Sequence, residues 1–410
     1  MDTSVSTPPT ENTVAPVPPI VTDSSTTMTS EPEIVQITDI SIFDIAPNQQ
    51  LPPEVVEPDE LILGIGSANS LFQTSTDARG FSISAVSKNN KSSVDELGIL
   101  AIDDISGKVD GIAPDQPGYL KAVVDKSILI SSFLNNSFLS KDEQEIGLDP
   151  NRIYQLIKVN NGSLADAVQQ INNGQTPTNI QFSLPDANGN SPIKITSNST
   201  NDGYVVSANN DDLVLAVTKL SSVTPNQPIG TKSQRLVEGR TIDLTDFTNE
   251  NLTVDLKTTS DAAYKNNIGF YAVEDEIGTI KTTTGNFVKP GDPTYATEAI
   301  KNAIANAGLH LGKTDSKANQ AITGGKIYAP VLVAQGDLNE FLSKNSTNAG
   351  DGSVVHAYFN YVNANPDKLD HFRVLGSNTF GVEDTFGGGD KDYNDLVVQM
   401  TIKSDRKSVV

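Results

Sequence analysis

The chain has 410 residues, enough for two ordinary cores and a tail, with no cysteine, no tryptophan and only 6% aromatic residues. Lys plus Arg is 29 against 51 Asp plus Glu, a formal net charge of −22, which argues against nucleic acid and anionic membranes as partners, since both are bound through clustered cations. Without cysteine there are no disulfides, thiolate metal sites or thiol nucleophiles.

In chain order, residues 1–60 open with MDTSVSTPPTENTVAPVPP and stay rich in Pro, Ser and Thr with no helical or strand period, so we expect a disordered tail. They show neither the basic start nor the apolar run of a secretory signal peptide. No later stretch reaches the roughly 20 apolar residues of a membrane span. GIGSANS from Gly64 is not a phosphate loop, because no Lys-Ser/Thr follows.

Comparing the remainder with itself exposes a repeat. FSISAVSKNNKSSVDELGILAIDDISGKV from Phe81 aligns without a gap on LTVDLKTTSDAAYKNNIGFYAVEDEIGTI from Leu252, an offset of 171 that places Gly98 on Gly269, Asp104 on Asp275 and Gly107 on Gly278. RIYQLIKVNNGSLADAV from Arg152 falls on KIYAPVLVAQGDLNEFL from Lys326 at an offset of 174, matching Tyr154 to Tyr328 and Gly162 to Gly336. These blocks predict a degenerate first copy over 61–220, a linker over 221–235, a second copy over 236–403 and a short tail over 404–410.

Each copy reads as mainly β. NLTVDL, IGFYAV, KIYAPVLVA, VVHAYFNYV, HFRVLG and DLVVQMTI are short β-branched or aromatic runs between Gly, Asn and Asp turns, the pattern of a β-sandwich or jelly roll. Short helices interrupt it. GDPTYATEAIKNAIANAG predicts one, with Asp292 as N-cap and Gly308 as stop. GSLADAV and GDLNEFL predict another in each copy, capped by Ser163 and Asp337.

The second copy ends in FGVEDTFGGGDKDYNDLVVQM, and aligning Tyr204 on Phe380 and Asp212-Leu213 on Asp395-Leu396 leaves about seven extra Gly-rich acidic residues there. The strands therefore do not need the loop. Clustered carboxylates call for a hard cation or bulk water. Calcium takes about 6–8 oxygen ligands, which Asp390, Asp392 and Asn394 in D-x-D-x-N alternation, with Asp395, Glu383 and Asp384 beside them, can supply. Three glycines free the backbone for positive φ. The loop is not an EF-hand, since Asp395 and Thr401 stand where that motif needs Gly and Glu. The competing interpretation is a solvated Asp/Asn/Gly turn.

This ending, with IGFYAVEDEIGTI and KPGDPTYATEAI upstream, resembles the domain-of-unknown-function 4114 family, a C-terminal module of bacterial and especially cyanobacterial exoproteins, over roughly Leu236 to Ile402. The resemblance implies an extracellular or cell-surface location and type I-like export through a C-terminal address. It implies no established activity.

The acidic pairs Asp103-Asp104 and Glu274-Asp275-Glu276 fit hydrated strand-to-turn junctions better than the acid and base of a glycosidase, with Glu274 or Asp275 also able to lend the loop a ligand. The three histidines, His310, His356 and His371, have no Gly-x-Ser-x-Gly elbow to serve. We therefore expect a non-enzymatic, calcium-binding structural or adhesion protein whose partner is an extracellular glycan or a matrix or surface protein. The alternative is a calcium-dependent carbohydrate-binding module stacking sugars on Tyr358, Tyr361 and Tyr393; a polysaccharide hydrolase ranks below both.

Overall fold

The computed structural model describes residues 62–65, 70–74, 80–87, 95–133, 144–198, 203–208, 214–219 and 227–405, apart from 238, 249 and 307. The expected tail over 1–60, the start of the linker (221–226) and residues 406–410 lie outside the described residues.

Every strand pair among the described residues is antiparallel. In the first half one sheet runs, in spatial order, Ile62–Ile65, Leu71–Gln73, Ile153–Val159, Asp95–Ile102, Ile128–Phe133, with Ile180–Phe182 also on Ile153–Val159. The other runs Gln144–Gly147, Gly80–Ser87, Val214–Lys219, Gly203–Ala208, Ile193–Asn198. The second half has Ile242–Asp243, Ile327–Ala334, Asn267–Val273, His310–Gly312, with His356–Phe359 on Ile327–Ala334, and a second sheet Ser316–Thr323, Asn251–Thr259, Leu396–Ser404, Thr379–Val382, Phe372–Gly376. Apart from Ile62–Ile65 and a short hairpin of Ile280–Lys281 with Phe287–Val288, the two halves repeat one strand order.

Helices α1 (Tyr119–Lys126) and α2 (Leu164–Asn172) belong to the first half, α3 (Tyr295–Ala305) and α4 (Leu338–Lys344) to the second. Ser163 caps α2 by accepting from the Asp166 N–H at 2.9 Å. Asp337 caps α4 in a capping box with Glu340. For α3 the expected Asp292 cap is displaced: Thr294 is the N-cap, while Asp292 accepts from the Lys289 N–H in the turn before it. The first turns of α1 and α3 are tied alike, Tyr119 donating to the Gly107 carbonyl (2.8 Å) and Tyr295 to that of Gly278 (2.9 Å). Both glycines have positive φ, 83° and 86°, and a Cβ at either would strike a side chain at 2.3 and 2.5 Å, so this turn needs glycine twice.

The layers explain the hydrophobic patterns. Ile327–Ala334 is buried at every position because Leu332 faces the second sheet, with Phe270, Phe380 and Val398, while Val331 and Val333 face Ala299, Ile300 and Phe341 of the helices. A strand covered on both faces reads as a continuous apolar run. Leu396–Ser404 is covered on one face and alternates.

The described residues belong to one compact unit, and one buried cluster contains Leu100, Val123 and Leu164 of the first half together with Val254, Phe270 and Val398 of the second. The seam also holds buried charge. Arg240 pairs with Asp370 at 2.7 Å and Glu96 at 3.1 Å, Arg373 pairs with Asp370 and Asp166, and Ser163 donates to Asp370 at 2.9 Å. Residues 231–234, expected in the linker, pack here: Thr231, Ser233 and Gln234 are buried, and the Gln234 and Asn378 amides bond at 2.7 Å.

Candidate metal centre

The acidic stretch is the hairpin loop, residues 383–395, between Thr379–Val382 and Leu396–Ser404, with Val382 opposite Leu396. In the first half Tyr204 lies opposite Val217, and in the second Phe380 lies opposite Val398, so equating Tyr204 with Phe380 makes the second hairpin five residues longer rather than about seven. The first hairpin's own loop, 209–213, lies outside the described residues.

The loop is wound by left-handed backbone: Gly387, Gly388 and Gly389 have φ of 87°, 83° and 51°, and Lys391 and Tyr393 follow at 60° and 53°. This conformation at alternate positions after Gly389 turns Asp390 and Asp392 toward one point. Ligand oxygens of Glu383, Asp390 and Asp392 all lie within 4.8 Å of one another. Glu383 is 0% exposed; its Oε1 accepts from the Tyr393 N–H at 2.7 Å, and its Oε2 is buried without a hydrogen-bond partner. Gly389 borders that oxygen so closely that a Cβ there would stand 2.3 Å from Oε2.

Among the described residues, none of Glu383, Asp390, Asp392 and Asp395 has an ion-pair partner. Burial, together with the Asp395, Asp390 and Asp392 charges, pushes Glu383 up to about 8 against the Tyr393 N–H bond. Burial likewise pushes Asp395 up to about 7, opposed by the Asp384 N–H bond, and raises Asp392, opposed by the Asn394 N–H bond.

Of the six residues expected to bind metal, Glu383, Asp390 and Asp392 converge. The other three brace the loop: Asp395 Oδ2 accepts from the Asp384 N–H at 2.9 Å, Asp384 Oδ2 accepts from the Asn266 amide at 2.6 Å, and the Asn394 amide donates to Asp392 Oδ2 at 2.6 Å. Asn266, Ser260, which donates to the Asp395 carbonyl, and Asp367, which accepts from the Gly387 N–H at 2.9 Å, are supports the sequence reading missed. Nothing local marks them; Asn266 lies 118 residues from its partner.

His371 is buried, with Nε2 2.9 Å from Asp367 Oδ2 and Nδ1 2.9 Å from the Glu383 carbonyl, so both ring nitrogens are engaged and neither is open to a metal. The donor set is all oxygen, which suits calcium or magnesium and not zinc. An orphaned buried carboxylate oxygen, two converging aspartates and a glycine whose Cβ would crowd that oxygen fit a hard divalent cation, the remaining ligands coming from loop carbonyls and water. Glu274 and Asp275 are not among the converging carboxylates. Asp275 instead accepts from the Thr279 N–H and Asp104 from the Ser106 N–H, as turn-closing carboxylates do.

Tyr393 links the loop to the seam. Its N–H is on Glu383, its hydroxyl donates to the Asp370 carbonyl at 3.1 Å, and the Arg373 guanidinium stacks 4.2 Å from its ring centroid.

Fold and loop together define an antiparallel, mainly β protein with a carboxylate-lined hairpin. Residues 322–403, in the C-terminal part of the chain, match the family model described as Domain of unknown function (DUF4114). The matched span contains the whole 383–395 loop and leaves out the IGFYAVEDEIGTI and KPGDPTYATEAI stretches. No curated protein and no solved structure matches the chain.

Proposed function

We propose that this is a non-enzymatic structural or adhesion-type protein of the cell surface or extracellular space whose C-terminal hairpin is ordered by calcium. The observation that carries this reading is the partnerless buried Oε2 of Glu383 facing Asp390 and Asp392. A cation there offsets the mutual repulsion of the three carboxylates and ties the two ends of the loop together, and Tyr393 passes that rigidity to the Arg373–Asp370 pair at the seam. An acid or base role for Glu383 is disfavoured by its 0% exposure, since a general acid must reach substrate.

The carbohydrate-binding alternative loses its stacking platform, because Tyr358, Tyr361 and Tyr393 are all buried. No helix among the described residues is long and apolar enough to cross a membrane. Calcium titration by calorimetry tests the central reading: the wild type should bind with a Kd of roughly 0.1–1 mM, and Asp390→Asn with Asp392→Asn should bind nothing in that range. An unchanged isotherm in the double variant would reject the site. Location is tested separately by deletion. Removing residues 361–410 should trap the protein in the cytoplasm, checked by a folding control, while removing 1–60 should not; export that follows the N-terminal segment would overturn the C-terminal address.

A further inference from the structure

A polar cleft of about 280 Å3, open to solvent, lies against the same loop at the seam of the two halves. One wall is the outer face of α2, with Gln169, Gln170 and Asn173, flanked by Asn161 and Gln175. The facing wall is the turn carrying Lys368 and the loop residues Gly388, Lys391 and Tyr393.

The five amide side chains have no hydrogen-bond partner among the described residues. Each amide offers donors and an acceptor together, the complement of a vicinal diol. The cleft's carboxylates are already engaged: Asp370 by Arg240 and Arg373, Asp166 by Arg373 at 3.3 Å. Its uncommitted charges are ammonium groups. Lys391 has no ion-pair partner among the described residues, and Lys368 donates only to the Asn363 carbonyl, at 2.7 Å. A chain of net charge −22 thus presents two unneutralised lysines beside an array of free amides. Tyr393 is 3% exposed and Leu369 is half-buried, so recognition in this cleft rests on its amides and ammonium groups rather than on an exposed ring.

We propose that this cleft binds a short acidic oligosaccharide, a uronate-bearing one, with the α2 amides on its hydroxyls and Lys368 and Lys391 on its carboxylate. The proposal deepens the calcium reading and rests on it for one wall, since Gly388 to Tyr393 belong to the loop that the cation orders.

The test is calorimetry on the full chain in saturating calcium, with tetrasaccharides of hyaluronan and of polygalacturonate as probes, their carboxyl-reduced forms as neutral controls, and a separate calcium titration. At least one acidic probe should bind, and its reduced form should bind about tenfold more weakly or worse, the loss of one charge-assisted bond. Lys368→Asn with Lys391→Asn should abolish that preference; both lysines have φ of 60°, which asparagine tolerates, so the backbone is kept. Gln169→Ala with Gln170→Ala should weaken acidic and neutral forms alike by about tenfold. Normal calcium binding with no heat from either acidic probe at millimolar concentration, or saccharide binding untouched by both double variants, would overturn the cleft and leave the metal centre standing. Saccharide binding in a protein that fails to titrate with calcium would do the reverse.

Discussion

Replacing Glu383 by glutamine should move stability in opposite directions with and without calcium. Without the ion, a carboxyl that titrates near 4.5 when unfolded is raised to about 8 in the fold. The folded state is therefore penalised above pH ~4.5, and the penalty grows until pH ~8. At pH 7.5 a gap of about 3 units corresponds to at most ~4 kcal/mol. Glutamine removes the charge, keeps an acceptor for the Tyr393 N–H, and offers its NH2 to Asp390 and Asp392 oxygens within 4.8 Å. Allowing for relaxation of the buried group, the calcium-free variant should gain about 1–3 kcal/mol. With 10 mM calcium and a Kd of roughly 0.1–1 mM, the wild type gains about 1.4–2.7 kcal/mol and the variant nothing. The unit from Val56 to Val410 has about 355 residues, so an unfolding entropy of about 2.1 cal/mol/K per residue makes 1 kcal/mol worth about 1.3 °C. Scanning calorimetry at pH 7.5 should show the wild type rising about 2–4 °C from chelator to calcium. The variant should start about 1–4 °C higher and not move. A variant that melts below wild type in chelator, or rises with calcium as wild type does, refutes the reasoning.

Gly389→Ala, at φ 51° with its Cβ 2.3 Å from Glu383 Oε2, should cost about 1–2 kcal/mol and abolish calcium heat, whereas Gly387→Ala, at φ 87° with open space around it, should pay the backbone term alone and bind calcium normally. Arg240→Ala leaves Glu96 and Asp370 short of a buried partner and should cost about 3–5 kcal/mol by urea midpoint. Although burial opposes it, Arg240 and Arg373 hold Asp370 below the ordinary carboxylate range, so its contribution is present above the unfolded pKa and lost as pH falls through the lower folded value. Urea stability measured from pH 5 downward should therefore drop, and Asp370→Asn should flatten that drop. Asp337→Ala removes the capping box of α4 and should cost about 1 kcal/mol by thermal melting, while calcium affinity stays unchanged.

Legibility in the sequence followed the range of the interaction. The caps at Ser163 and Asp337 were readable because cap and bonded N–H lie within three residues, and the alternation of Leu396–Ser404 because one face is core and the other solvent. Ser316–Thr323 went unread as a strand: it is a mostly exposed sheet edge, so burial imposes no period on it. Thr379–Val382 was hidden by its length and by Gly381, where a Cβ would stand 2.4 Å from the Tyr393 carbonyl oxygen. Tyr358, Tyr361 and Tyr393 looked available as stacking rings, and the structure buries all three, because neither the strand-like run around Tyr358 and Tyr361 nor the acidic loop around Tyr393 carries a mark of what will cover it.

By itself the sequence determined the β class, the helix caps at Ser163 and Asp337 and the concentration of carboxylates among glycines, all of which are local periodicities or local backbone preferences. Only the tertiary structure decided which carboxylates share a point. Glu383 is pinned at a strand end by Tyr393, while Asp384 and Asp395 are drawn aside to each other and to Asn266. It alone joined the halves through Arg240, 130 residues from Asp370 and 144 from Glu96. Such partners meet only when both sheets close, and the side-chain pairing that follows is set by packing distance, on which composition and spacing are silent.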